Sequence, residues 1–476
     1  MEARTLTREE RARRRKPSWA TLFFVLGCGF CLAPLACGSG GSSDNQLDSA
    51  LSGIGHFTPI HLDTVALSHA VQAGQPVELP FQRHGGDIVD RQLHLTLRNL
   101  RSADLTEFVL KDGDAGSGSS LPLSPPATYQ GVVEDEPVGV GAFTITDAAV
   151  EGSMLVFPDG WSFIEPLEPE LRLRGVDPAV RQKLLKTYNH IVYNALDSRG
   201  SVVLRDDIFA HTPPGVPGEP QPPTPLVMSI VADGDAALFR AYPLDSVMPF
   251  WLKQETLLNA VDWLYNCIEP AANGNNAYAS CGNDFDGGSN GFQARLRIDR
   301  LEVWTTGGPD SASREELLLQ SIAQTHQAMP PCCGSPHTAG RSNLVHFFSG
   351  RDLREGPGVA AGIGGLDYYG DLCSADNIED VLCHHAVSQL VPGREFRGTA
   401  LFQQLIVAHE IGHNNGAAEQ PLGMGVCWLF GTQCGGNLMG SLGFTGESKY
   451  LYTADDARSV IGRLLAARLG GTASNP

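Results

Sequence analysis

Basic side chains are scarce in this chain of 476 residues. Lys and Arg total 34 against 53 Asp and Glu, which gives a formal net charge of −19. Seven of the basic residues fall within residues 1–19, so the rest of the chain is more acidic still. A nucleic-acid partner requires a basic face that neutralises phosphates, and we therefore expect none.

Long apolar runs are absent with one exception near the start. Residues 20–36 are uncharged and apolar, they follow a basic segment, and a Gly/Ser-rich stretch comes after them. This order of segments is typical of an export signal. The junction Ala36-Cys37 resembles a bacterial lipoprotein signal, which implies that lipidated Cys37 is the mature N-terminus. Pro34 departs from that pattern, so an ordinary cleaved signal or a membrane anchor stays open, and Cys28 is a second possible site.

The signal predicts where the protein is found. We expect it to be exported, either to the cell envelope or outer surface as a lipoprotein, or secreted after processing. Membrane contact is then limited to the N-terminal lipid, because no other apolar run is long enough to span a bilayer. We expect a monomer.

Cysteine is missing between residues 38 and 266, and no CxxC pair exists outside the signal region. The second absence disfavours a structural zinc cluster. Eight of the 11 cysteines lie beyond residue 266, and an even number in an oxidising compartment indicates disulfides. We predict two local pairs, Cys373–Cys383 and Cys427–Cys434, and leave the others unassigned.

Proline divides the chain. Residues 213–225 contain seven prolines, which keep a segment extended and accessible to a protease, although no dibasic site marks a cut. The predicted organisation is a signal at residues 1–37, a flexible tether at 38–54, a β-rich domain at 55–204, a proline-rich linker at 205–225 and a second domain at 226–470.

Hydrophobic patterns predict different classes for the two domains. Short runs of alternating apolar and polar residues, such as Leu93–Leu97, predict strands in the first domain. Further strands are predicted at Gly139–Ile145 and Met154–Phe157, and a helix from Pro178 to Leu196. Strand and helix patterns alternate in the second domain, which predicts an α/β (α+β) fold.

Some elements of the second domain can be placed. Leu226–Ala232 predicts a buried strand, and apolar residues from Phe250 to Tyr265 recur with helical spacing. The alternation that ends at Ile298 changes phase before Leu301, so we expect a β-bulge near Asp299.

One short segment carries recognisable chemistry. The sequence His409-Glu410-Ile411-Gly412-His413 lies on a predicted helix that Thr399 caps. Residues four apart lie one above the other on a helix, so His409 and His413 can bind one zinc ion. Glu410 then lies beside the metal and can accept a proton from water.

Catalytic zinc requires a third protein ligand and one open position. Gly416 permits a left-handed turn that ends the helix. Glu419, ten residues after His409, can therefore return a carboxylate to the same ion. An alternative is that water or another carboxylate completes the shell, with Glu447 a remote candidate.

The segment from His409 to Glu419 resembles the HExxHxxGxxH motif of the metzincin metallopeptidases. Asn437-Leu438-Met439-Gly440 is similar to the Met-turn of that family, which implies that Met439 lies under the metal. Residues 344–353 resemble the reprolysin (adamalysin, ADAM-type) branch. This resemblance implies a metzincin-like catalytic domain at 226–470, with a mixed twisted sheet, an active-site helix and an edge strand near Gly358–Gly364 that holds substrate.

The same resemblance implies a zymogen. Segments such as Tyr129–Val133 are similar to a reprolysin propeptide, so residues 55–204 are predicted to be a propeptide-like domain. That domain has no cysteine, so no thiolate can enforce latency. Glu419 also departs from the family, which usually has His there. An anionic ligand reduces the Lewis acidity of the metal.

We therefore expect an exported zinc-dependent endopeptidase that hydrolyses peptide bonds in protein or peptide substrates. The alternative from another class is a catalytically inactive, zinc-containing surface adhesion or binding protein. A gluzincin-type enzyme, with its Glu ligand on a separate later helix, is a third reading, against which the spacing to Glu419, Gly416 and Met439 argue.

Overall fold

A computed structural model gives the structure of the chain. It describes residues 47–49, 51, 54, 56–111, 119–120, 124–136, 139–156, 159–197, 226–241, 248–264, 294–310, 317, 320–321, 344–351, 365–367, 384–390 and 399–414. All of them lie in one compact unit, residues 43–476. None of the helices in these ranges has both the length and the apolar character needed to cross a membrane.

The first sheet has eight antiparallel strands in the order β1-β10-β9-β8-β7-β6-β3-β2. The strands are β1 (Phe57–Ile60), β2 (Val77–Gln82), β3 (Ile88–Leu97), β6 (Thr128–Val133), β7 (Gly139–Ile145), β8 (Val150–Val156), β9 (Gly160–Pro166) and β10 (His190–Asn194). The sheet curls until β2 approaches β9 and β10. Gln82 N–H donates to Ser162 Oγ at 3.0 Å, and Asn194 Nδ2 donates to Gln82 O at 3.0 Å, so the sheet is barrel-like and nearly closed.

The second sheet has seven strands in the order β14-β15-β13-β11-β12-β4-β5. The strands are β4 (Arg101–Leu110), β5 (Ser119–Ser120), β11 (Leu226–Gly234), β12 (Ala294–Trp304), β13 (Leu344–Ser349), β14 (Gly365–Asp367) and β15 (His384–Gln389). The five inner strands are parallel, and β5 and β14 pair antiparallel at the two edges. Strand β4 follows β3 of the first sheet directly, so the chain passes from one sheet to the other at residues 98–100.

Helices are few in the described ranges. They are α1 (Thr64–Gln72), α2 (Leu167–Leu173), α3 (Pro178–Leu185), α4 (Ala236–Ala241), α5 (Met248–Leu264) and α6 (Thr399–Asn414), with a 3-10 turn at Ala195–Asp197. Helix α5 packs on β6, β7 and β8 of the first sheet and on β12 of the second. Helix α6 packs on α5, β14 and β15 and also touches β9. The two helices therefore lie between the sheets.

One apolar core joins both sheets and both of these helices. Trp161 of β9 contacts Trp263 of α5 edge-to-face, with ring centroids 4.8 Å apart. Trp161 also stacks on Phe163, and the same cluster includes Ile298 of β12 and Ile406 of α6. Burial of large aromatic side chains is a major source of stability, and here it links residues that are far apart in the sequence.

Several sequence predictions are confirmed. Strands β7 and β11 and helix α5 occur where the patterns place them. The predicted bulge is present, since Ile230 pairs with Ile298 but Val231 pairs with Arg300, which leaves Asp299 out of register.

The predicted helix from Pro178 to Leu196 is too long. Helix α3 ends at Leu185, and His190–Asn194 form β10. The segment Ile191-Val192-Tyr193 is β-branched and aromatic, and it pairs with β1 on one side and β9 on the other. Strand pairing in the folded protein overrides the local helical pattern.

The predicted class, an α/β (α+β) metzincin-like domain with a mixed sheet behind a β-rich domain, is wrong. The described residues are mostly β, with a barrel-like antiparallel sheet, a largely parallel second sheet and few helices. The prediction assumed a sheet built from residues 226–470 and covered by its own helices. Instead β4, from the first part of the chain, belongs to the second sheet, and α5 and α6 are shared with the first sheet.

Candidate functional site

Helix α6 carries the HExxH segment, as predicted. It runs without interruption from Thr399 to Asn414, so His409, Glu410 and the backbone of His413 all lie on one helix. An apolar stripe drives its burial, since Ala400, Ile406, Val407, Ala408 and Ile411 have no exposed surface.

The first two functional residues are buried. The side chains of His409 and Glu410 both have 0% exposure. His413 follows one turn after His409, which places the two residues on the same side of the helix.

Other predicted site residues lie outside the described residues. These are the His413 side chain, Glu419, Met439, Cys37, the two predicted cysteine pairs and the segment Gly358–Gly364. Within the described ranges, no three His, Cys, Asp or Glu side chains come together as a metal site would require. The zinc triad, the Met-turn, the lipidation and the disulfides therefore stay predictions.

A carboxyl group from the first sheet holds the start of α6. Ala400 N–H donates to Glu165 Oε1 of β9 at 2.8 Å. Tyr193 O–H donates to the same oxygen, and Glu170 shares a hydrogen bond with Glu165. Burial raises the pKa of Glu165 well above its usual value, Glu170 raises it further, and Lys253 and the Tyr193 hydroxyl oppose the shift. Burial therefore favours the protonated form of this group, which accepts a backbone N–H at the first turn of the helix.

A second contact from the first sheet lies one turn further along α6. Ser153 Oγ of β8 donates to Gln404 Oε1 at 3.0 Å, with both side chains buried. On the preceding residue, Gln403 Nε2 donates to Leu390 O at 2.7 Å, just after β15. The helix is therefore tied to the first sheet on one side and to the second sheet on another.

Helix α5 is tied to the first part of the chain by buried charges. Arg98 makes two hydrogen bonds to Asp262, at 2.8 and 3.1 Å, and Asp262 has no exposed surface. Arg101 makes two to Glu255, at 2.6 and 3.0 Å. Burial raises the pKa of Glu255 although Arg101 opposes it, so the loss of water around the carboxylate outweighs the attraction of the guanidinium.

His346 is a core histidine and not a ligand in this arrangement. It is fully buried on β13, and its Nε2 lies 2.9 Å from Ser388 Oγ. Burial lowers the pKa of His346 to about 3, so the ring is neutral at all physiological pH values.

The second sheet ends beside α6. Strand β14 is its outermost described strand, it pairs antiparallel with β15, and α6 packs against both. It begins at Gly365, directly after the segment in which we predict the substrate-binding edge. An edge strand offers unpaired backbone groups to which an extended peptide can add.

Sequence reasoning missed Glu165, Ser153 and Gln404. The available signal was weak, namely single polar residues within apolar strands or within the apolar stripe of a helix. Their partners lie about 250 residues away along the chain, for example 251 for Ser153 and Gln404.

Comparison with known proteins adds no relative. No protein-family model matches this chain, and no curated protein matches it at a significant level.

Proposed function

We propose that this protein is a zinc-dependent peptidase in which Glu410 is the general base. The observation that carries the proposal is the HExxH segment on one continuous buried helix, α6. A helix places His409 and His413 one turn apart, which fits two nitrogen ligands of one zinc ion. Glu419 remains the proposed third ligand.

Zinc, when bound, would supply a Lewis acid that polarises the scissile carbonyl group and water. Glu410 follows His409 directly and would accept the proton of the attacking water, then deliver it to the departing amine. The burial of Glu410 supports this role, because a carboxylate that is shielded from solvent holds and moves a proton without competition from bulk water.

The substrate would add to β14 as a further strand. The position of β14 at the edge of the second sheet and against α6 supports this, since a peptide there runs past the helix that carries His409. The proposal covers peptide substrates as a class.

The test compares the wild type with Glu410→Gln. The change preserves shape but removes the base, so we expect both proteins to bind zinc and only the wild type to cleave casein or a quenched fluorescent peptide. Loss of kcat should be on the order of 100- to 10,000-fold. Glu107→Gln, at a buried carboxyl group of β4, is the matched control and should keep activity.

Two results would contradict the proposal. Hydrolysis that survives both a chelator and Glu410→Gln would exclude this chemistry. Stoichiometric zinc with no hydrolysis by the wild type, before or after a cut in the linker, would favour the zinc-containing binding protein instead.

A further inference from the structure

We propose that the eight-stranded sheet is a permanent platform for α6, with Glu165 and Ser153 as positioning residues, and that it is not a propeptide that must leave. The positioning role rests on the proposed function, whereas the permanence of the platform does not. A permanent platform is incompatible with the zymogen that the sequence predicts, in which the same residues are a removable propeptide.

The platform, which is the eight-stranded sheet, contacts α6 at two positions. Glu165 accepts from the backbone N–H of Ala400 at the start of the helix, and Ser153 donates to the side chain of Gln404 one turn later. His409 lies five residues after Gln404, which rotates it by roughly 140° about the helix axis. The contact at Gln404 therefore lies on a different side of the helix from His409, where it can support the helix without covering that imidazole.

Separation of the first part of the chain from the rest would also break buried ion pairs. Asp262 and Glu255 on α5 are fully buried and are neutralised by Arg98 and Arg101 from the first part of the chain. Asp262 also accepts a hydrogen bond from Leu296 N at 2.7 Å. Asp262 also has Arg295 of β12 at 3.8 Å, whereas Glu255 would lose Arg101. Departure of the first part of the chain would therefore leave the buried Glu255 without this partner and destabilise the remainder.

The first part of the chain and the rest share a β-sheet and an apolar core. Strand β4 pairs in parallel with β12, from Arg101 opposite Ile298 to Leu110 opposite Trp304, so the first part of the chain contributes a strand to the second sheet. The Trp161–Trp263 contact belongs to the same shared core. Interfaces between parts that come apart are usually smaller and more polar.

The experiment for permanence is a cut in the linker. A recognition sequence for a specific protease is placed between residues 205 and 225 of the full chain, and the purified protein is cut. We expect both fragments to elute together in gel filtration and to separate only in denaturant. Peptide hydrolysis should stay within twofold of the uncut protein.

Two outcomes overturn permanence. One is release of the N-terminal fragment in native buffer, with or without activity. The other is a tenfold or greater rise in hydrolysis after the cut. If no sample hydrolyses peptide, the proposed function fails while co-elution still decides whether the sheet is permanent.

The experiment for positioning uses zinc release, measured with a chromogenic chelator, together with kcat. Glu165→Ala removes the acceptor for Ala400 N–H, and we expect at least tenfold faster zinc release and a lower kcat. Glu165→Gln keeps an oxygen for Ala400 and an N–H for Glu170, so it should stay within threefold of the wild type. Ser153→Ala is the milder variant that keeps the test open if Glu165→Ala does not fold.

The matched control is Ser162→Ala, also on β9, which loses the hydrogen bond from Gln82 N and makes no contact with α6 among the contacts seen here. It should lower the unfolding midpoint without changing zinc release. Equal zinc release from Glu165→Ala and the control would show that Glu165 acts on stability alone, and the positioning role would be wrong.

Discussion

At the scale of single residues, burial raises the pKa of two carboxyl groups. Glu165 accepts hydrogen bonds at the start of α6, whereas Glu107 of β4 is 1% exposed and neither of its oxygens accepts a hydrogen bond from the described residues. Burial raises the pKa of Glu107 to about 7, Arg101 lowers it and Glu255 raises it. Glu107 is therefore the group that should make stability depend on pH near neutrality.

The direction of this pH dependence follows from the difference in proton binding between the folded and unfolded states. The folded state holds a proton on Glu107 between about pH 4.5 and 7, where the unfolded chain has released it. Stability from this group is therefore complete below pH 4.5 and is lost as the pH rises to about 7. Glu107→Gln, which mimics the protonated acid, should stabilise the protein by about 2 kcal/mol more at pH 8 than at pH 5.

Urea unfolding at the two pH values measures this difference. The control is Glu78→Gln, an exposed carboxylate on β2, which should leave the pH dependence as in the wild type. Equal effects of Glu107→Gln at both pH values would mean that Glu107 is ionised and solvated in the folded state.

At the scale of elements, the pair Arg101–Glu255 fastens β4 to α5. Arg101→Met should destabilise the protein by about 3–5 kcal/mol, because it leaves Glu255 buried without its partner. The double variant Arg101→Met/Glu255→Met should recover most of that loss, since neither charge is then buried. Chemical denaturation of the single and double variants measures both effects.

Arg83→Met provides the contrast for that cycle. Arg83 pairs with Asp159 at 2.8 Å, but its side chain is 45% exposed. A pair of this kind contributes about 0–1 kcal/mol, so the loss should be small. A double variant at β4 and α5 that is as unstable as Arg101→Met alone would mean that packing of the arginine stem, and not charge, holds the two elements together.

Some elements could be predicted from the sequence, whereas their long-range pairing could not. Strand β7, helix α5 and the bulge at Asp299 follow from local alternation and periodicity, which the sequence displays directly. Helix α6 follows from its apolar stripe and its motif. The pairing of β4 with β12, almost 200 residues later, could not be predicted from local sequence. Parallel strands need a long connection between them, so no turn signal identifies the partner strand.

The same limit applies to the candidate site. His409, Glu410 and His413 could be predicted as a zinc site because ligands of one metal ion on a helix require this spacing. Glu165 and Ser153 were not, because any polar residue on a buried strand could satisfy the helix, and only the fold selects which one does. Positions that act through a distant partner therefore require the structure.

At the scale of the whole molecule, a bound metal should stabilise the folded protein by mass action. A ligand that binds only the folded state adds about 4 kcal/mol at a concentration 1,000 times its dissociation constant. Since α6 belongs to the core shared by both sheets, this stabilisation should appear as a single shift in the unfolding of the whole unit.

We therefore expect the Tm of the wild type to rise with free zinc and to fall after treatment with a chelator. Glu410→Gln keeps the proposed ligands and should show the same zinc-dependent rise although it is inactive. His413→Ala removes a proposed ligand and should show little or no rise, while its Tm without metal should match that of the wild type treated with chelator. Glu419→Ala should behave like His413→Ala if its carboxylate binds the metal, whereas an unchanged zinc response would assign the third position to another group. Differential scanning fluorimetry across a zinc titration measures all four proteins, and a Tm that ignores zinc in the wild type would remove the metal from this account.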